Sequence, residues 1–96
     1  MLVENKFNKN DIITIKLLTG EEVLARYVSH DAEKLSISRA SVVAPNAQGG
    51  LGIVPWMMSA LPDTIEINMS TVVTFTDTAK EIANKFIEAT TNIKLS

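Results

Sequence analysis

The chain has no cysteine, and only one histidine and one tryptophan among its 96 residues. Without thiols neither a disulfide framework nor a thiolate metal site can form, which fits a reducing compartment. One imidazole alone does not make a zinc site of ordinary composition, so no metal and no cofactor is expected. Glycine is scarce at four residues, and the three prolines, Pro45, Pro55 and Pro62, all fall in one region. An excess of positive charge is missing too. Nine Lys and Arg stand against 11 Asp and Glu, for a net charge of −2 and a pI near 5.3. That balance does not suit a general polyanion binder. From Ala40 to Pro62 there is no charge of either sign.

What is present argues for a folded domain. Hydrophobic residues make up 46% and mean hydropathy is +0.15, too apolar for disorder. Residues 1–96 read as a single domain, near the lower size at which one core suffices without disulfides or metal, so burial must be compact or shared between chains. The opening MLVENKFNKND has Glu4 early and no apolar centre, unlike an export signal, and a cytoplasmic location is expected. The uncharged run is long enough to raise the question of a membrane span, which needs about 20 apolar residues. Its three prolines, together with Asn46, Gln48, Gly49, Gly50 and Gly52, would break any helix laid through it. No membrane partner is expected.

Apolar periodicity predicts strands first and one helix last. In IITIKLL, Ile13, Ile15 and Leu17 fall on one face against Thr14 and Lys16, the period-2 pattern of a half-buried strand. Gly20 reads as a hairpin turn, after which Val23, Ala25 and Tyr27 alternate with Leu24, Arg26 and Val28. A third strand follows the polar HDAEK, with Leu35 and Ile37 opposite Ser36 and Ser38. TIEINMS and VVTFT predict two more. Five short antiparallel strands suggest a small barrel, because closure removes exposed edges. The tail differs: Ala79, Ile82, Ala83, Phe86, Ile87 and Ile93 form a stripe at helical spacing. Asp77 or Thr78 can cap this amphipathic helix, and Thr78 with Glu81 has capping-box spacing. The barrel is expected over about residues 11–76 and the helix over about 77–92, covering an open end of the barrel.

Catalytic constellations are lacking. His30 reads as a solvated turn residue beside Asp31, because general-base work would need a positioned partner and a pocket. Glu21, Glu22, Asp31, Glu33, Asp63, Glu66 and Asp77 show no paired spacing. GGLG lacks the Lys and Ser or Thr of a phosphate loop. An enzyme is not expected.

One spacing carries more. From Gly20 the chain runs GEEVLARYVSHD, with small Ala25, apolar Tyr27 and Asp31 opening the next turn. This resembles the first motif of the Sm-like family, and ITIKLLTG is similar to its first strand. INMSTVVTF stands where that family has its second motif, with Ile67 and Val72 matching. The resemblance spans roughly Ile12 to Phe75, with the uncharged run between the motifs, and the whole is similar in style to compact variants encoded by tailed phages of marine bacteria, for which the location would be the host cytoplasm. It implies a strongly bent, five-stranded antiparallel SH3-like barrel whose outer strands pair between subunits into a homo-oligomeric ring of five to seven copies, with stacking of rings left open. The family's RNA site places an asparagine four residues after the aspartate and a cation followed by glycine in the second motif. Here those places hold Leu35, Asn68 and Met69. The family's helix precedes the first strand, whereas here the predicted helix is carboxy-terminal.

Two functions follow. The first is a ring-forming module that binds single-stranded RNA or acts as an RNA chaperone, with Asp31, Lys34, Asn68 and Ser70 around the pore and Trp56 as an outlying stacking platform. The second is a structural or adaptor oligomer that binds protein through the uncharged run or the tail helix. Val54, Trp56, Met57, Met58, Val72 and Phe75 are the expected oligomer contacts. LGIVPWMMSALP is too apolar to stand in water and is expected to continue strands three and four as extended segments packed on a neighbouring subunit.

Overall fold

The computed structural model describes residues 7–60 and 62–91. It contains an antiparallel sheet of six strands and one carboxy-terminal helix: β1 Ile12–Leu17, β2 Glu22–His30, β3 Lys34–Pro45, β4 Leu51–Pro55, β5 Thr64–Asn68, β6 Val72–Asp77 and α1 Lys80–Thr91. The strand order is β4-β3-β2-β1-β6, and β5 also pairs with β3.

The meander β1–β2–β3 forms as the alternation requires. Ile13, Ile15, Leu17, Val23, Ala25, Tyr27, Leu35 and Ile37 are buried in one cluster, each contributing about 1.5–3 kcal/mol for a branched or aromatic side chain. Gly20 turns the β1–β2 hairpin at φ +98°, a conformation open to glycine. Its N–H donates to the Leu17 carbonyl at 2.9 Å.

β3 is long because it serves two partners along one edge. Its first half pairs with β5 (Lys34 opposite Asn68, Ile37 opposite Ile65) and its second half with β4 (Val42 opposite Val54, Pro45 opposite Leu51). The change of partner coincides with a bend. The β2–β3 register shifts between Leu24–Ser41 and Arg26–Ser38, and Arg39, between Ser38 and Ser41, has φ 57°. Such a bulge kinks and twists its strand.

The uncharged run therefore supplies a sixth strand where five were expected. β4 folds back on β3 through a turn built on Asn46, whose Oδ1 accepts from the N–H groups of Gln48 (3.1 Å) and Gly50 (3.0 Å). Trp56 to Ala60 are not strand, so only the first part of LGIVPWMMSALP is extended. Met69–Thr71 is a 3-10 turn rather than the end of a strand. That turn carries the chain from β5 to β6. The Leu18 N–H donates to the Thr71 carbonyl at 2.8 Å and the Met69 N–H to the Glu33 carbonyl at 2.9 Å. Among the described residues β5 and β6 are joined by this turn and not by a ladder.

α1 begins at Lys80, so Thr78 lies before it and bonds β1 instead of capping: its hydroxyl is 2.8 Å from that of Thr14. Phe86 is the helix's buried side chain. It stands apart from the main cluster, under the Arg26 guanidinium at 5.9 Å. Arg26 alternates with Ala25 and Tyr27, so this contact is on the side of β2 away from the core, and the strand that α1 meets most is β4. Ile87 on the expected apolar stripe is 38% exposed, and Ile93 lies outside the described residues. Among the described residues no helix is long and apolar enough to cross a membrane.

Candidate nucleic-acid interface

The turn between β2 and β3 is organised by one carboxylate. Asp31 Oδ1 accepts from the N–H groups of Glu33 and Lys34, both at 2.8 Å, and the Asp31 N–H donates to the Lys34 carbonyl at 3.0 Å. An aspartate suits this place because its short side chain reaches the backbone two and three residues on. Those two backbone donors, with the nearby charges of Lys34 and His30, hold the Asp31 carboxyl below its ordinary value against the opposing effect of burial. A group with a depressed folded value lends its stabilisation above the unfolded value and loses it as pH falls through the folded one. In an NMR titration the Glu33 and Lys34 amide shifts should therefore follow one proton with a midpoint below 3.8; a midpoint at or above that value would mean the carboxylate does not brace the turn.

The register of β3 on β5 brings this turn to the second motif. Lys34 lies opposite Asn68, and the Met69 N–H bond to Glu33 fastens the two segments. Thr71 Oγ1 donates to the Asn68 carbonyl at 2.7 Å and fixes the entry to the 3-10 turn that carries Ser70. Asp31, Lys34 and Asn68 are thus gathered at one end of the sheet, all exposed, with Ser70 exposed in the adjoining turn. Their electrostatics are mixed. Lys34 Nζ is 3.8 Å from Glu66 Oε1 and also acts on the Asp31 carboxylate, so the ammonium is shared between two carboxylates.

Trp56 is elsewhere. Its N–H donates to the Ala40 carbonyl at 2.9 Å, six positions along β3 from Lys34, or about 20 Å at 3.3 Å per residue. Its ring is half-buried and packs against the chain's own core. Leu35, where the Sm-like resemblance would place an asparagine, is fully buried, with a relative exposure of 0%; the side chain exposed beside it is that of Lys34.

The expected contact residues divide in two. Val54, Met57 and Met58 are exposed at 40%, 49% and 81%, whereas Val72 and Phe75 are half-buried against the core. Sequence reading missed Val73, which is 58% exposed beside the β1–β6 register shift. The expectation for His30 needs correction. It ends β2, is half-buried, and its Nδ1 lies 2.8 Å from Tyr27 Oη with its ring edge-on to Phe75. Phe7, Tyr27 and Phe75 complete that cluster, with ring centroids 5.3–6.4 Å apart. The bulge between Tyr27 and Ser29 turns His30 inward, and local sequence carries no sign of it.

Among the described residues no group of three or more His, Asp or Glu is placed to hold a metal ion. No protein-family model matches the chain, and a search of curated proteins finds no match.

Proposed function

We propose that this protein is a ring-forming Sm-like module that binds single-stranded RNA where the β2–β3 turn meets the end of β5. The observation that carries this reading is the strand order. With the β4 arm set aside, the sheet runs β5-β3-β2-β1-β6, a bent five-stranded antiparallel path that, among the described residues, has an open edge on each terminal strand. Sm-like rings need that arrangement, since their outer strands pair between subunits. Ladder alternation gives the donors and acceptors. The Thr78 N–H bond to Ile12 leaves Phe75 and Asp77 with their backbone groups toward the outer edge of β6, and the Arg39 N–H bond to Asp63 does the same for Thr64, Glu66 and Asn68 on β5. Two such edges are an aggregation hazard unless they are paired. A closed ring pairs both in every subunit.

The small Ala25, fully buried in the bent β2, and Asp31 bracing the next turn also agree with the first-motif resemblance. RNA contact would come from the Lys34 ammonium and the Asn68 amide, multiplied around the ring. Anisotropy of labelled oligo-U and oligo-A tests it: binding should weaken with salt, and Lys34→Ala or Asn68→Ala should cost about tenfold in affinity, the size of one lost charge-assisted hydrogen bond. A ring that binds neither RNA would overturn the RNA assignment. The second reading, an adaptor oligomer, is favoured by the exposure of Met57 and Met58 in the uncharged run, since flexible thioethers suit adaptable protein contacts.

A further inference from the structure

Among the described residues Arg39 is the one place in the sheet where a residue with a side chain takes the left-handed region, at φ 57°. Strain of this kind persists only where surrounding contacts impose it. Here the contacts join three elements. The Arg39 N–H donates to the Asp63 carbonyl at 3.3 Å, its Nε lies 3.4 Å from Asp63 Oδ2, and its Nη1 donates to the Thr90 carbonyl in the last turn of α1 at 2.9 Å. One residue at the β3 bend therefore holds both the approach to β5 and the far end of the helix.

Elsewhere the strand that α1 packs against is β4. Phe86 is its buried residue, Arg26 lies over that ring, and the Thr14–Thr78 hydrogen bond stands at the entrance. Only Thr78 and Ala79 separate β6 from α1. Between the helix end and the β3–β4 arm lies a groove of about 270 Å³, lined among others by Ser41, Ile53, Met57, Ile65 and Ala89, with Arg39 and Asp63 at its side.

We infer that α1 is a lid, hinged at Thr78–Ala79 and latched by Arg39, that opens while the sheet stays folded and uncovers the groove. The energetics favour a local event. A helix of 12 residues is marginal by itself in water. The Arg39–Asp63 pair is largely exposed, at 43% and 61%, so it holds weakly and is screened by salt. The strands beneath bury the core on both sides of β2 and open only with the whole domain.

NMR-detected amide exchange on the full chain tests this. Amides from Asn84 to Thr90 should exchange at least about tenfold faster than those of Ile13, Ile15 and Ile37, the separation expected of a subglobal opening. Arg39→Gly relieves the backbone strain yet loses the latch, and should speed α1 exchange about tenfold, the size of one charge-assisted hydrogen bond, with β1 and β2 unchanged. Asp63→Asn leaves the strained residue in place and should act in the same direction by a smaller factor, as should about 1 M salt on the unaltered protein. Helix amides that exchange in step with β1 and β2 would overturn the lid. Rapid helix exchange that neither substitution accelerates would overturn the latch.

Discussion

Leu35→Asn, which puts an asparagine where the proposed Sm-like reading would place an RNA contact, should destabilise the protein by about 5 kcal/mol and add no affinity for RNA. Leu35 is fully buried between His30 of β2 and Ile67 of β5. Removing its branched end costs about 2–5 kcal/mol, and an amide buried there without partners adds about 1–3 kcal/mol. A domain of this size has about 5–15 kcal/mol in total, so melting should fall by about 25 °C. The neighbouring Lys34→Asn, at an exposed position, should stay within about 0.5 kcal/mol of the parent. Thermal unfolding of the two variants checks this directly. A Leu35→Asn protein as stable as the parent would mean that the side chain at this position reaches solvent and that the β2–β3 register is wrong.

Val73→Asp should leave the subunit folded and take the proposed ring apart. Val73 is 58% exposed on the terminal strand β6, so its own fold loses little. In a ring that pairs β6 with a neighbour's β5, each interface would acquire an unpartnered carboxylate, at a cost of about 4 kcal/mol or roughly a thousandfold in association. Sedimentation velocity at micromolar protein reads the outcome. A ring unchanged by the substitution would remove β6 from the interface.

How much of this was legible in the sequence depended on the range of the cause. Strands β1, β2 and the start of β3 follow from apolar alternation, and the buried positions Ile13, Ile15, Val23, Ala25, Leu35 and Ile37 are those the period predicts. The helix reads from its stripe, although its docking does not, because its partner Arg26 lies on a strand position that looks solvent-facing and β4 is itself not foreseen. The uncharged run announced itself by the absence of charge. Its hairpin could not be read in detail, since β4 exists only through pairing with a β3 that outlasts its own alternation. The left-handed Arg39 was hidden for a related reason: no glycine marks it, and the contacts that hold it come from Asp63 and Thr90, distant in the chain. The candidate site was half visible. Motif spacing named Asp31, Lys34, Asn68 and Ser70, and strand register brings them to one end of the sheet; Trp56 was named for its chemistry alone and lies along β3 from them.

The central claim is that β5 and β6 are the two halves of one repeated interface. Native mass spectrometry of the unaltered protein, from low micromolar solution, tests it most directly. The account predicts a closed assembly of five to seven copies of the 10.5 kDa chain, with no ladder of smaller or open-ended species, because a heterologous interface that closes leaves no free edge. A monomer at 10.5 kDa as the dominant species would contradict it and leave both strand edges open to water.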